Sequence, residues 1–338
     1  MTQYENEVKK RDVMCCMNAG NQGCGRKWSR MRIITDTGTD ILDKEAKKLG
    51  IELVAIRSNF TDTVFSENTE AEFTRFYDKL RQTDTLPVSS QPSPAEFLEF
   101  FEDAKEKQEE VVVITISSKL SGTYNGAMLA KDMAEYDNIY VVDSLLASLS
   151  ERLLVEYAVK LRDAGMGAKE LVRKLEQDRE RVILTGVPST LLYLKMGGRI
   201  SPVVAAVGGV IGIKPVLWLK DGVIESRSKA RGMRMAKSGM QSFLKDYEAD
   251  PAMPVMFAHS DNAEMGQQFM EETFEPPFYL RRNIEVKFSP MTAEWQITGK
   301  STPSRNDVQS GICGAYLVSV AKTQGYCTCM GKHSATAS

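Results

Sequence analysis

The β-branched run Val111-Val112-Val113-Ile114-Thr115-Ile116 passes through a polar turn, Ser117-Ser118-Lys119-Leu120-Ser121-Gly122-Thr123, into a helix-forming stretch at 127–133. A strand that hands over directly to a helix returns to its sheet as a parallel neighbour, so helices cover the sheet faces. The alternation recurs. Strands are predicted near 32–35, 51–56, 111–116 and 139–142, and helices near 41–49, 70–82, 94–108 and 122–135. Beyond Ser144, helices near 148–163 and 168–179, a strand near 181–186 and a short helix near 188–195 are expected. An apolar stretch at 202–219, a turn at 220–222 and a strand near 223–227 follow. The reading is α/β: an N-terminal parallel sheet flanked by helices at 31–147 and a second α/β domain at 148–290. A chain of 338 residues suits two domains. Residues 1–30 read as a disordered extension, with Met31 as the expected start, and 291–338 as an atypical C-terminal segment.

Ligands of parallel sheets bind beyond the carboxyl ends of the strands, where Asp36, Ser121 and Asp143 emerge. The first N–H groups of a helix lack internal acceptors and its dipole favours negative charge, so Ser121, Gly122 and Thr123 suit an anion. An ordinary N-cap by Ser121 or Thr123 explains the same residues. The segment Ser89-Ser90-Gln91-Pro92-Ser93 has the same grammar, with Ser90 or Ser93 capping a helix that opens at Pro94.

Composition removes several alternatives. A net charge of −2 gives no nucleic-acid footprint, and Arg227, Lys229, Arg231 and Arg234 form only a local patch. All six cysteines lie outside 25–312, which suits a reducing cytoplasmic protein without core disulfides. Cys15, Cys24, Cys327, Cys329 and His333 lack zinc-site spacing, so no metal is expected. The first thirty residues have no apolar stretch of signal-peptide type, and Lys214 and Pro215 argue against a membrane span at 202–219. Ser121 as the nucleophile of a hydrolase is the competing function, but the Gly-x-Ser-x-Gly elbow is absent and His259 is the one candidate base. Asp36-Thr37-Gly38 has no second copy for an aspartic-protease pair, and Gly299-Lys300-Ser301 lacks the glycine a phosphate loop needs at 294.

Eight motifs then fall in order between about 31 and 262: IITDTGTDI, LPVSSQPSPAEF, ITISSKLSGTYNGA, YVVDSLLAS, LKMGGRIS, IGIKPVLWLKDGVI, KARG and AHSDNAE. Together they resemble the DegV-family fatty-acid-binding proteins, the acyl-carrying subunits of bacterial fatty-acid kinase. The resemblance implies a DegV-like fold of two α/β domains with a long-chain fatty acid between them. It implies a kinase partner that phosphorylates the acyl carboxylate for phospholipid synthesis, and a non-enzymatic, cofactor-free role in the cytoplasm with transient contact at the membrane surface. Carried over by motif, Ser89, Ser121, Gly122 and Arg199 would hold the carboxylate, with Ser90, Thr123 and Asp36 as neighbours of the head group. Leu120, Val203, Val207, Ile211 and Ile213 are candidates for the acyl tunnel.

Elementary energetics agree with that division of labour. About 15 methylenes moved from water contribute on the order of 12 kcal/mol gross, at ~0.8 kcal/mol each. A carboxylate drawn toward an apolar tunnel needs hydrogen bonds, which hydroxyl-rich turns supply. The resemblance ends after Phe288-Ser289-Pro290, where Met291-Thr292-Ala293-Glu294 replaces the family's glycine-rich loop and its carboxylate-binding histidine. A frame error beyond about residue 290 and genuine divergence both account for this ending.

Overall fold

The computed structural model describes residues 31–83, 86–188, 191, 194, 198–199, 212–245, 250, 253–260, 263–274, 286–290 and 316–321. In chain order the elements are β1 Met31–Asp36, α1 Asp43–Leu49, β2 Glu52–Val54, β3 Arg57–Asn59, β4 Val64–Phe65, α2 Glu70–Gln82, β5 Val88–Ser90, α3 Pro94–Lys107, β6 Glu110–Thr115 and α4 Thr123–Ala134. They continue as β7 Ile139–Asp143, α5 Leu149–Asp163, α6 Ala168–Asp178, β8 Val182–Val187, β9 Ile213–Lys220, β10 Val223–Arg231, α7 Gly232–Lys245, β11 Val255–His259, α8 Ala263–Phe274, β12 Val286–Pro290 and β13 Tyr316–Ala321.

Among the described residues these strands form three sheets. The first, in the order β2-β1-β6-β7, is parallel throughout, with Ile34 opposite Val113 and Val113 opposite Val141. Its central strand is buried on both faces, which is why its sequence is continuously apolar rather than alternating. Val112 and Ile114 face the cluster built with Leu153, Leu154 and Ala158 of α5 and Leu171 and Leu175 of α6. Val111 and Val113 face Phe97, Phe101 and Ala104 of α3 and Ala127, Ala130 and Ala134 of α4. Burying each phenylalanine stabilises the layer by roughly 2–3 kcal/mol. The small residues of α4 let it approach α3 closely.

The second sheet runs β10-β9-β8-β13-β11-β12 and is antiparallel except for the β11–β12 pair. Its strand β13 comes from beyond residue 290 and lies between β8 and β11. Helix α5 joins the two layers: Leu184, Leu217, Leu219, Ile224 and Met256 of the second sheet share its core cluster with the first sheet. Eleven of its fifteen residues are buried, so it has no solvated face of ordinary width.

Two expectations change. The strand expected near 51–56 is shorter, β2 beside β1, and after a bend the chain enters β3, which belongs to a small separate sheet β4-β3-β5. The bend between them is pinned by the Ile56 N–H, which donates to the Thr37 hydroxyl at 2.9 Å. Ser89 lies in strand β5, opposite Ser58, and not in a turn. Of the apolar stretch 202–219, the part from Ile213 is strand β9, and no helix among the described residues is long and apolar enough to cross a membrane. The extension 1–30, most of the short helix near 188–195, and the cysteines and His333 of the zinc question lie outside the described residues.

Candidate functional site

The carboxyl end of the first sheet is where the polar segments meet. After β6, the N–H groups of Leu120 and Ser121 donate to the Ser117 carbonyl at 2.9 and 3.1 Å, which closes the turn on itself. Asp143, at the end of β7, fixes its other side by accepting from the N–H groups of Ser118 and Leu145 at 3.0 and 3.1 Å. Helix α4 then starts at Gly122 with no side-chain cap of its own.

Ser121 is half-buried, and its hydroxyl stands 2.8 Å from the buried Thr123 hydroxyl while accepting the Thr123 N–H at 3.3 Å. The expectation that the Ser121 and Thr123 N–H groups wait for an anion is therefore altered, because both have internal acceptors. What the pair offers instead is a proton. Two hydroxyls bring two protons, one bridges them, and the other is available to donate.

The first segment reaches the second through Gln91. A Cβ on Gly122 would lie 2.0 Å from the Gln91 Oε1, so the amide of Gln91 rests directly over the glycine. Only a residue without a side chain accommodates that approach while Gln91 keeps its place. Ser89 is half-buried and shares its face of the small sheet with the buried Ser58. Ser90 is exposed and accepts from the Asn59 amide at 3.0 Å. Ser93 forms a capping box with Glu96 at the head of α3, both its N–H and its hydroxyl reaching Glu96 Oε2 at 2.9 Å. The Arg57 guanidinium grips the same carboxylate and, more than any other contact, pulls it down to about 2.

Arg199 is exposed, and its Nε donates to the Leu120 carbonyl at 3.0 Å, which brings this side chain to the Ser121 turn. Leu120 is half-buried against the core shared with α5, and Ile213 is half-buried at the start of β9. Val203, Val207 and Ile211 lie outside the described residues.

Asp36 sits beneath the turn rather than at its mouth. It is fully buried, and its two oxygens accept the Gly38 N–H at 2.9 Å and the Ile116 N–H at 2.8 Å. Burial raises its carboxyl to about 7 against the opposing pull of those two donors. The loop it caps is braced further: the Ser148 N–H donates to the Gly38 carbonyl at 2.8 Å, and the Ser148 hydroxyl donates to the Asp40 carboxylate. Ser148 itself has φ 50° and ψ −134°, a conformation costly for any residue with a side chain. Buried Arg152 secures the region by pairing with Glu45 and Glu156, each at 2.9 Å.

Sequence reasoning missed Gln91 and Asp143 as organisers of the turn. A glutamine between Ser90 and Pro92, just ahead of the helix that opens at Pro94, is a signal for the first, and an aspartate at a strand end is one for the second. His259 ends β11, half-buried, and burial lowers its pKa. The next residue, Ser260, meets the hydroxyl of Tyr77 from α2 at 3.2 Å.

Residues 30–292 match the family model described as "Uncharacterised protein, DegV family". A DegV domain-containing protein of Caldanaerobacter subterraneus subsp. tengcongensis is 31% identical over 236 residues, covering 70% of this chain and 84% of the relative. Another, from Clostridium perfringens, is 31% identical over 247 residues, covering 71% of this chain and 84% of its own length. Among solved structures, a DegV family protein from Thermus thermophilus, titled for its fatty acid binding, superposes with a TM-score of 0.70 at 24% identity over 86% of this chain and 99% of that one. The Streptococcus pneumoniae Fatty Acid Kinase B3 protein, loaded with linoleic acid, gives 0.68 at 24% identity over 87% and 100%. These likenesses establish the two-layer α/β fold described above.

Proposed function

The chain belongs to the DegV family, and from that premise we propose that it binds a long-chain fatty acid, with the carboxylate at the Ser121 turn and the acyl chain in the apolar interior. The single observation that carries this reading is the contact of Gln91 with Gly122, since it unites two hydroxyl-bearing segments distant in sequence at the ligand-binding end of a parallel sheet. The fatty acids named with the Thermus and Streptococcus structures support the class of ligand.

In this reading the hydroxyl pair Ser121–Thr123 donates one hydrogen bond to the carboxylate, Ser89 adds a second hydroxyl, Gly122 lets Gln91 close in on the turn, and Arg199 contributes positive charge. The ligand is presented to a separate fatty-acid kinase, a role supported by likeness to the kinase B3 protein. The family's C-terminal histidine has no counterpart directly after Pro290, so Ser89 and Ser121 take a larger share of the head group. Among the described residues the hydroxyl of Ser121 is partnered by Thr123, a group too weakly basic to activate it for hydrolysis.

Protein purified from a bacterial host and extracted under denaturing conditions is expected to release a long-chain fatty acid detectable by mass spectrometry. Protein that is empty and also fails to take up added oleate or palmitate would overturn the reading. Ester turnover that disappears in Ser121→Ala would replace it with the hydrolase.

A further inference from the structure

The turn that carries Ser121 is fastened from outside its own sheet. The buried Ser117 hydroxyl donates to the Gly222 carbonyl at 2.8 Å and accepts the Lys119 N–H at 3.2 Å. Gly222 is the second residue of the two-residue tip joining β9 to β10, where Lys220 pairs with Val223. Asp221 has φ 49° and Gly222 φ 82°, the left-handed pair that closes a tight hairpin. A Cβ on Gly222 would fall 2.5 Å from the Ser117 hydroxyl and 3.0 Å from Leu145. The tip reaches this depth because it has no side chain there.

We propose that Ser117 and the β9–β10 tip form a latch that keeps the head-group turn closed and so sets how fast an acyl ligand enters and leaves. The inference rests on the fatty-acid reading above. The turn belongs to the first sheet and the tip to the second, so any separation of the layers that admits a lipid at this end breaks the Ser117–Gly222 bond. Neither group touches the ligand in this scheme; both are positioning residues. Removing the bond favours the open state whether or not ligand is present. Uptake and release therefore accelerate together, and affinity changes little. Loss of a contact to the carboxylate behaves differently, because it speeds release alone.

The test is stopped-flow fluorescence with cis-parinaric acid, following uptake directly and release by displacement with excess oleate. In Ser117→Ala both rates are expected to rise about fivefold, the worth of one buried hydrogen bond, with Kd within about twofold of wild type. Wild-type rates, or a rise in release alone, would overturn the latch. Gly222→Ala crowds the same hydroxyl, so the double variant is expected to exceed wild type by less than the product of the two single effects. A purely multiplicative result would mean the two residues act independently and would count against the proposal. Amide hydrogen exchange on ligand-free protein separates this idea from the function it rests on. If wild type takes up no parinaric acid, the fatty-acid reading fails; faster exchange at residues 118–123 in Ser117→Ala then still supports the latch, and unchanged exchange sinks it.

Discussion

The two serine-rich segments look alike in sequence and do different things in the structure. At 90–93 the hydroxyls are committed to architecture: Ser90 accepts from Asn59, and Ser93 completes a capping box with Glu96 that Arg57 locks in place. At 117–123 the helix begins without a side-chain cap, and the Ser121–Thr123 pair keeps a proton in hand beside the sheet end. A serine before a helix is thus informative only once its acceptor or donor is known. The serine with the better capping signature, Ser93, is structural, and the turn with the poorer cap is the one left able to meet a ligand.

The largest expected effect concerns what lies under the second segment and not under the first. Asp36 supports Ile116, the residue that leads into the turn, with a carboxyl raised by burial to about 7. Its folded value exceeds the unfolded one, so the folded state binds the extra proton between roughly pH 4 and 7 and stability falls as pH rises through that window. A shift of that size corresponds to about 4 kcal/mol. In Asp36→Asn this dependence is absent. Denaturant titrations of both proteins from pH 4 to 8 should show the variant gaining on wild type as pH rises, and a flat difference would mean that Asp36 titrates normally.

Next comes affinity. Ser121→Ala removes a hydrogen bond to a charged group, worth ~1.5–3 kcal/mol, so fatty-acid binding is expected to weaken tenfold or more. Ser90→Ala, in the segment that the sequence makes its twin, should leave Kd within about twofold. Equal losses in an equilibrium fluorescence titration would erase the distinction between the segments.

Much of this was legible in the chain. The parallel sheet followed from valine runs that cannot tolerate a wet face, and α3, α4, α5 and α6 lie within a residue or two of their predicted bounds. The bend at Ile56 was not legible, because it depends on a hydroxyl nineteen residues away, that of Thr37. Nor was the depth of Asp36: an aspartate at a strand end reads as a cap, and it is one, but its burial is set by α5, a helix far along the chain that packs on β1 and on the turn after it. The Ser117–Gly222 contact joins two sheets and leaves no local trace beyond a turn glycine. Contacts within a segment can be read from spacing; those between layers depend on packing that spacing does not encode.

Two smaller effects sharpen the structural side of the comparison. Ser93→Ala deletes the capping box and is expected to lower stability by about 1 kcal/mol. A thermal or denaturant melt measures that loss, and fatty-acid affinity should not follow it. If affinity falls in step, Ser93 belongs to the head-group site as well as to the cap.

The smallest effect is that of Arg57. Its hydrogen bond is the main reason the Glu96 carboxyl sits at about 2 instead of its ordinary 4.5. Because the folded value is depressed, the stabilisation is present above the ordinary value and disappears as pH falls toward 2. Both side chains are about a third exposed, so solvent screening limits the pair to a few tenths of a kcal/mol. Arg57→Ala should return the Glu96 carboxyl most of the way to 4.5 in an NMR titration while barely moving the melting temperature at neutral pH. The remaining depression would then report the Ser93 contacts alone, since its N–H and hydroxyl are the other donors to that carboxylate. A carboxyl that stays near 2 without Arg57 would show that the cap itself, and not the ion pair, commits Ser93 to its structural role.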